Sequence, residues 1–158
     1  APQQVIEDTS NEIKLVLKND RDLLGSDPAF VYSMVDEVLV PRFDLQRISR
    51  LVIGRAWKKA TPEQKLAFQQ EFKNMLVRTY ATAFNELDDW QMTFLPTRPG
   101  SNENDVLIRT QIARSGPPVA VDYRMYFREG AWRVYDVKIE CKSQVTNYRS
   151  SFNRLMRT

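Results

Sequence analysis

Residues Trp132 to Phe152 read WRVYDVKIECKSQVTNYRSSF, and this stretch decides the fold because a strand pattern turns into a helix pattern with no Gly or Pro between them. Apolar Tyr135, Val137 and Ile139 alternate with charged residues, which is the period-two pattern of a strand buried on one face. After Ser143, a candidate N-cap, apolar residues recur every three or four positions, as on one face of a helix. The stretch therefore predicts one apolar wall that passes from a sheet into a C-terminal helix.

The beginning of the same strand has a different phase. Trp132 and Val134 alternate in the opposite sense to the three apolar residues that follow them. Two structures fit this pattern: a strand covered on both faces, or a bulge that resets the phase.

The chain before the sheet carries helix patterns. A stripe from Val5 to Leu17 predicts a first helix that ends near Gly25. The second helix should end at Pro41, and Gly54 should weaken the end of the third. The fourth helix should be long, with an apolar face that reaches Phe84. The second, third and fourth helices each begin with a capping signal. The signals are, in order, Ser26-Asp27-Pro28, Asp44 and Thr61-Pro62-Glu63-Gln64.

Four strand patterns occupy residues 91–95, 105–113, 119–128 and the segment that ends at Ile139. Short turns join them at Pro99-Gly100-Ser101-Asn102, Pro117-Pro118 and Glu129-Gly130. Because consecutive strands are joined by such turns, we expect an antiparallel meander. The inward positions predicted by alternation are Ile108, Thr110, Ile112, Val121, Tyr123, Met125, Phe127, Tyr135, Val137 and Ile139.

The composition predicts a single soluble domain that spans residues 1–158, and helix patterns followed by strand patterns predict that its class is α+β. The chain has 42% hydrophobic residues, and its 23 basic and 20 acidic side chains leave a net charge of only +3. No apolar run approaches the roughly 20 residues that cross a bilayer. The chain begins at Ala1 without a signal-like segment, which suits a processed secreted protein or equally a trimmed chain.

Several kinds of chemistry are excluded by residue type. The sequence has no histidine, so Ser-His-Asp and Cys-His catalysis are absent, and Cys141 has no second cysteine with which to form a zinc site. Phosphate-binding and dinucleotide-binding fingerprints are absent as well. The aromatic residues of the last helix pattern share its apolar stripe rather than its basic face, which argues against a nucleic-acid platform.

The most plausible enzyme interpretation pairs an acid with a phenol in a cone-shaped pocket, for example from Asp122, Asp136, Tyr123 and Tyr135. Alternation along the strands directs these two acids away from the two tyrosines. We therefore expect no enzyme, no metal and no cofactor.

The function that these exclusions leave open is the binding of an apolar ligand. Large apolar side chains on the long helix and the sheet are interspersed with small ones, which can leave volume unfilled. Such a volume, lined by aromatic and Met side chains, suits acyl chains, although the same residue types also build an ordinary packed core. The small residues are Ala67, Thr79, Ala83 and Thr110.

Several segments of the sequence also show a resemblance to a known family, and together they cover nearly the whole chain. The chain resembles the MlaC or toluene-tolerance family, the periplasmic phospholipid-binding shuttles of Gram-negative bacteria. The similar segments are VPRFDLQRISRLVIGRAWKKATPEQKLAFQQEFKNMLVRTYATAF from Val40 to Phe84, WRVYDVKIE and NYRSSF near the end, and the first helix around Val5, Ile6 and Thr9. The ordered combination of PRFD, GRAW, ATPEQ and RTYA is the specific part.

The resemblance implies N-terminal helices packed on a twisted four-stranded antiparallel sheet with a C-terminal helix, a cone-shaped scaffold like that of nuclear transport factors, enclosing an apolar cavity. It implies a phospholipid as cargo rather than a cofactor, with its tails inside and its head group at the mouth. The implied partners are an inner-membrane Mla ABC transporter complex and an outer-membrane lipoprotein-porin complex. The implied role is to maintain outer-membrane lipid asymmetry, by a monomer in the periplasm whose signal peptide has been removed.

We expect acyl-chain contact from apolar residues on both the helices and the sheet. The alternative is a ligand-free protein-interaction module on the same fold, with a packed centre. The expected lipid-binding residues are Val52, Trp57, Phe72, Leu76, Tyr80, Phe84, Ile108, Val121, Tyr123, Met125, Tyr135, Val137 and Ile139.

The junction after the last strand departs from the family pattern. Where relatives usually read EGVSLV, this chain reads ECKSQV from Glu140 to Val145. Lys142 then lies either at the cavity mouth, where it meets a lipid phosphate, or in water. We favour water because Lys is rarely buried.

Overall fold

A computed structural model describes residues 2–85, 90–99, 102–113 and 117–157. The side chains of residues 21, 23–25, 80–85, 99 and 156–157 lie outside this description. The predicted turn residues Gly100 and Ser101 also lie outside it.

Helices form the first half of the described chain, as predicted. Helix α1 bends at Asp20, where the backbone leaves helical angles, and α2 continues through a π-helical turn and a 3-10 turn that contains Pro41. The helices are α1 (Pro2–Ser26), α2 (Pro28–Met34), the π turn (Val35–Leu39), the 3-10 turn (Val40–Arg42), α3 (Leu45–Ile53), a second 3-10 segment (Gly54–Lys59), α4 (Pro62–Asn85) and α5 (Gln144–Arg157).

The predicted helix starts are confirmed by side-chain caps. Asp27 accepts hydrogen bonds from the first-turn amides of α2, and Asp44 accepts one from the amide of Arg47 in α3. Thr61 and Gln64 form a reciprocal capping box, with bonds of 2.9 and 3.1 Å. Gly54 ends α3 at a φ of 75°, a left-handed angle that favours glycine.

The sheet is antiparallel and has strand order β1-β3-β4-β5-β6, with β2 paired to β3. The four predicted strands are confirmed, and two strands of two residues each extend the sheet. The strands are β1 (Gln91–Phe94), β2 (Arg98–Pro99), β3 (Asp105–Ala113), β4 (Val119–Arg128), β5 (Ala131–Ile139) and β6 (Lys142–Ser143).

A bulge explains the phase change in β5. Arg124 pairs with Asp136 and its neighbour Met125 pairs with Val134, so Tyr135 is the extra residue. The bulge brings Val134 and Val137 to the same face of the sheet, because their partners Met125 and Tyr123 are two residues apart. The bulge, one of the two alternatives predicted from the sequence, is therefore observed, and Val134 and Tyr135, which are 1% and 7% exposed, show that this part of the strand is also covered on both faces.

The bulge also corrects one predicted inward position. Tyr135 leaves the face of Val137 and donates a hydrogen bond of 2.8 Å from its hydroxyl to the carboxylate of Asp105. Phe127 was predicted to be inward as well, but it is 38% exposed and packs against Trp132 beside the β4–β5 turn. That turn has positive φ at both Glu129 and Gly130, as expected for a tight hairpin.

Apolar burial divides into two clusters that the helices and the sheet share. One joins α1, α2 and α4 through Leu17, Val31, Met34, Val77 and Trp90. The other packs Ile6 of α1 against Ile108, Met125 and Val134 of the sheet. The α+β fold predicted from the sequence is confirmed, whereas the enclosed cavity stays a prediction.

Candidate functional site

An apolar pocket of about 370 Å³ lies between helices α2 to α5 and the end of strand β5. This volume falls within the range of known ligand pockets, roughly 300 to 1,000 Å³. It is far larger than a few waters, which disfavours a packed centre without a ligand. Its lining residues are Val31, Met34, Val35, Leu39, Val40, Phe43, Leu45, Ile48, Val52, Phe72, Lys73, Leu76, Val77, Asp136, Val137, Ile139, Gln144, Val145 and Tyr148.

The predicted wall that passes from strand to helix is part of this pocket. Val137 and Ile139 of β5 and Val145 and Tyr148 of α5 all line it. The two elements are joined by β6 and a turn in which Glu140 and Cys141 both have positive φ. The strand and the helix therefore supply adjoining parts of one apolar surface.

Aromatic rings join α4 to α5 beside the pocket. The ring of Phe72 stands edge-on to that of Tyr148 with centroids 5.4 Å apart, and it stacks on Phe68 at 5.5 Å. Phe152 packs edge-on against both phenylalanines. Such edge and stacked pairs add to the stabilisation from burial, so this side of the pocket is held by side-chain packing.

One buried carboxylate lies at the junction of β5 and α5. Asp136 is 7% exposed and accepts hydrogen bonds from the backbone N–H groups of Val137 at 2.8 Å and Val145 at 3.1 Å. The hydroxyl of Ser143 donates to its other oxygen, while Ser143 itself caps the amide of Thr146, as the sequence predicted. A negative side chain in this position also complements the positive end of the helix dipole.

One ammonium group lies at another side of the pocket. The Lys73 side chain is 13% exposed, and its Nζ is 2.6 Å from Oδ1 of Asp36, whose side chain is 52% exposed. Lys73 thus contributes to the pocket lining while its ammonium group pairs with a carboxylate that is about half exposed.

A second pocket of about 210 Å³ lies between α1 and the sheet. Leu39 and Phe43 line both pockets and so stand between them. Arg42 lines the second pocket and makes two hydrogen bonds of 2.9 Å to the carboxylate of Glu12, which tie the 3-10 turn to α1.

The structure brings together five of the expected lipid-binding residues in the larger pocket, and Tyr123 lines the smaller one. The residues in the larger pocket are Val52, Phe72, Leu76, Val137 and Ile139. The side chains of Tyr80 and Phe84 lie outside the described part of the structure.

The other five expected residues are not among the described lining residues of either pocket. Ile108 and Met125 are buried in the cluster between α1 and the sheet, and Val121 is 8% exposed. Trp57 is buried under the ammonium group of Lys65. Tyr135 lies beneath Arg47, whose guanidinium carbon is 3.8 Å from the ring centroid. Lipid contact by these residues stays a prediction.

Two phenols have raised pKa values. Burial raises the pKa of Tyr123 to about 12. Burial is also the main cause that raises the pKa of Tyr135, and its hydrogen bond to Asp105 adds to the effect because it favours the neutral phenol. Both side chains are therefore neutral at physiological pH.

Sequence reasoning missed several pocket residues for two different reasons. Val31, Met34 and Val35 recur at helical spacing in the second helix, so a signal was present in the sequence but could not distinguish core from pocket wall. Lys73 gave no signal, because a lysine beside an apolar stripe is usually a solvated residue. Lys142 is exposed, as favoured from the sequence.

Neither a metal site nor a membrane span was found where the structure is described. Within those ranges no group of three or more His, Cys, Asp or Glu residues is placed to hold a metal ion. None of the helices there combines the length and the apolar content that a bilayer span requires.

Comparison with known proteins gives consistent matches. Residues 7–158 match the model of the family described as MlaC protein. The toluene tolerance protein ttg2D of Pseudomonas putida is 27% identical over 137 residues, which cover 86% of this chain and 64% of that protein. The intermembrane phospholipid transport system binding protein MlaC of Haemophilus influenzae is 20% identical over 141 residues, which cover 87% of this chain and 66% of that protein. The chain thus spans just under two thirds of both relatives.

A solved structure is similar over the whole fold. It is the phospholipid-binding protein from Ralstonia solanacearum in complex with a phospholipid, with a TM-score of 0.92 and 32% sequence identity. The match covers 99% of this chain and 88% of that one.

Proposed function

Because this chain belongs to the MlaC family, we propose that it is a phospholipid carrier that holds acyl chains in the pocket between α2–α5 and β5. The observation that carries the proposal is the apolar pocket of about 370 Å³, whose described lining includes one cation and one anion among many apolar side chains. The phospholipid in the Ralstonia solanacearum neighbour supports the same ligand class.

The physical basis is transfer of lipid without a chemical reaction. Each methylene withdrawn from water contributes about 0.8 kcal/mol, so ten methylenes hold a tail in a membrane by about 8 kcal/mol. A pocket that encloses the tail replaces most of that interaction and lowers the cost of leaving the bilayer. The names of the relatives, which describe binding and transport, agree with a carrier rather than an enzyme.

The proposed setting is the periplasm. There the protein would carry phospholipid between an outer-membrane lipoprotein-porin complex and an inner-membrane Mla ABC transporter, and so maintain the lipid asymmetry of the outer membrane. The intermembrane transport system in the name of the Haemophilus influenzae relative supports this assignment.

Transfer between vesicles tests the carrier function. Donor vesicles contain a fluorescent phospholipid with a quencher, and acceptor vesicles contain neither. We expect catalytic amounts of the protein to accelerate dequenching, with a rate proportional to protein concentration. A rate equal to that of vesicles alone, with protein shown to be folded by circular dichroism, would contradict the proposal.

A further inference from the structure

We propose that Lys73 binds the phosphate group of the carried lipid, and that Asp36 is the counter-ion that it exchanges for this phosphate. The inference rests on the proposed function and assigns the head-group end of the pocket. A lipid whose tails fill the pocket must leave its polar group at an edge where charge is tolerated.

The position of Lys73 identifies such an edge. Among the described residues that line the larger pocket, Lys73 is the cation and Asp136 the anion. Phe72, Leu76 and Val77 surround Lys73 on α4 and also line the pocket. An acyl chain packed on this apolar surface would bring its glycerol phosphate within reach of a lysine ammonium at the end of a four-carbon stem.

The Asp136 side is unsuited to a phosphate. The two carboxylate oxygens of Asp136 already accept hydrogen bonds from Val137, Ser143 and Val145. The negative charge of this carboxylate would repel a lipid phosphate. The first-turn amide of Val145, which would otherwise attract an anion, is also engaged by this carboxylate. The charges of the pocket therefore favour a phosphate at Lys73.

The partner of Lys73 can be replaced. Asp36 lies on the π-helical turn, and its side chain is 52% exposed, so water screens its interaction with the lysine. A phosphate offers several strong acceptor oxygens to the same ammonium, and the tails of its own lipid would hold it there as the polypeptide holds Asp36. The ion pair thus keeps the Lys73 ammonium group oriented until a phosphate displaces Asp36.

The test compares two lipids that differ only in the phosphate-containing head group. Purified protein, stripped of lipid, is titrated with dioleoyl phosphatidylglycerol and with dioleoylglycerol, each presented in neutral detergent micelles. We expect Lys73→Met to weaken phosphatidylglycerol binding about tenfold, equivalent to about 1.4 kcal/mol, and to leave dioleoylglycerol binding within about twofold. Lys73→Arg should restore phosphatidylglycerol binding. Asp36→Asn should leave phosphatidylglycerol binding equal or tighter, because the competing carboxylate is removed.

Controls separate this inference from a structural role and from the carrier function. Lys59→Met removes an exposed lysine outside the pocket lining and should change neither affinity. Equal losses for both lipids in Lys73→Met and Asp36→Asn would mean that the ion pair only supports the fold, and would overturn the inference. Binding of inorganic phosphate alone, abolished in Lys73→Met, would assign a free-anion site and overturn it as well. If wild-type protein bound neither lipid, the proposed function itself would be wrong.

Discussion

Oδ1 of Asp136 accepts a hydrogen bond of 3.1 Å from the backbone N–H of Val145, and this bond joins the end of the last long strand to the start of the C-terminal helix. Asp136 lies on β5 and Val145 in the first turn of α5, and both line the larger pocket. One buried carboxylate therefore contributes to the relative placement of the strand and the helix, and so of two adjoining pocket walls.

Replacement of this carboxylate should destabilise the fold more than loss of an ordinary cap. We expect Asp136→Ala to lower the free energy of unfolding by about 2–4 kcal/mol, because it leaves two partly buried backbone donors and the Ser143 hydroxyl without their acceptor. The matched control is Asp27→Ala at the exposed N-cap of α2, which should cost about 1 kcal/mol. Urea denaturation measures both values, and equal losses would contradict the role assigned to Asp136.

Filling the larger pocket should displace its ligand. Leu76→Trp places a larger ring among lining residues of α4, so we expect bound phospholipid to fall by at least half while the helical circular dichroism is retained. The matched control is Leu66→Trp on the same helix, because Leu66 is 66% exposed and lies outside the pocket lining. Unchanged lipid content in Leu76→Trp would remove α4 from the binding wall.

Alkaline pH should destabilise the protein through Tyr123. Its pKa is about 12 in the folded protein against an ordinary value of 10.0, so the folded state holds the phenol proton more tightly than the unfolded state. The contribution of this more tightly held proton to the free energy of unfolding is fully present below pH 10. It is lost as the pH rises toward 12, and the total loss is about 2–3 kcal/mol. Unfolding measured at pH 9 and pH 11.5 should show a smaller loss in Tyr123→Phe than in wild type, and identical losses would refute this assignment.

The turn between β5 and β6 carries strain at Cys141. Its φ is 67°, in the left-handed region where a side chain costs about 1–2 kcal/mol relative to glycine. Because glycine adopts this backbone angle without a steric cost, we expect Cys141→Gly to raise the free energy of unfolding by about 0.5–1 kcal/mol. Lys142→Gly, at the next exposed residue but within β6, should lower it instead. A loss of stability in Cys141→Gly would argue that the thiol makes a compensating contact.

Much of the fold could be predicted because local signals mark it. Asp27, Asp44 and the Thr61–Gln64 pair identify helix starts by side-chain chemistry alone, and strands 105–113 and 119–128 have the predicted bounds. The bulge at Tyr135 could not be decided, because alternation reveals a change of phase but not which strand pairing produces it.

The candidate site was less predictable than the fold. Val137 and Met125 look alike in sequence, yet the first lines the larger pocket and the second is fully buried between α1 and the sheet. Packing between distant elements decides this difference, and no local pattern records it. Lys73 was missed because its ion-pair partner, Asp36, lies 37 residues away in the sequence. No local pattern indicates that pairing.

The central claim, that the apolar pocket holds phospholipid, is tested most directly by the content of the protein itself. Protein purified from a bacterial periplasm without detergent is extracted with organic solvent, and the extract is quantified by mass spectrometry against protein concentration. We expect phospholipid in a stoichiometric amount that falls in Leu76→Trp and not in Leu66→Trp. Folded wild-type protein that carries no phospholipid would contradict the claim.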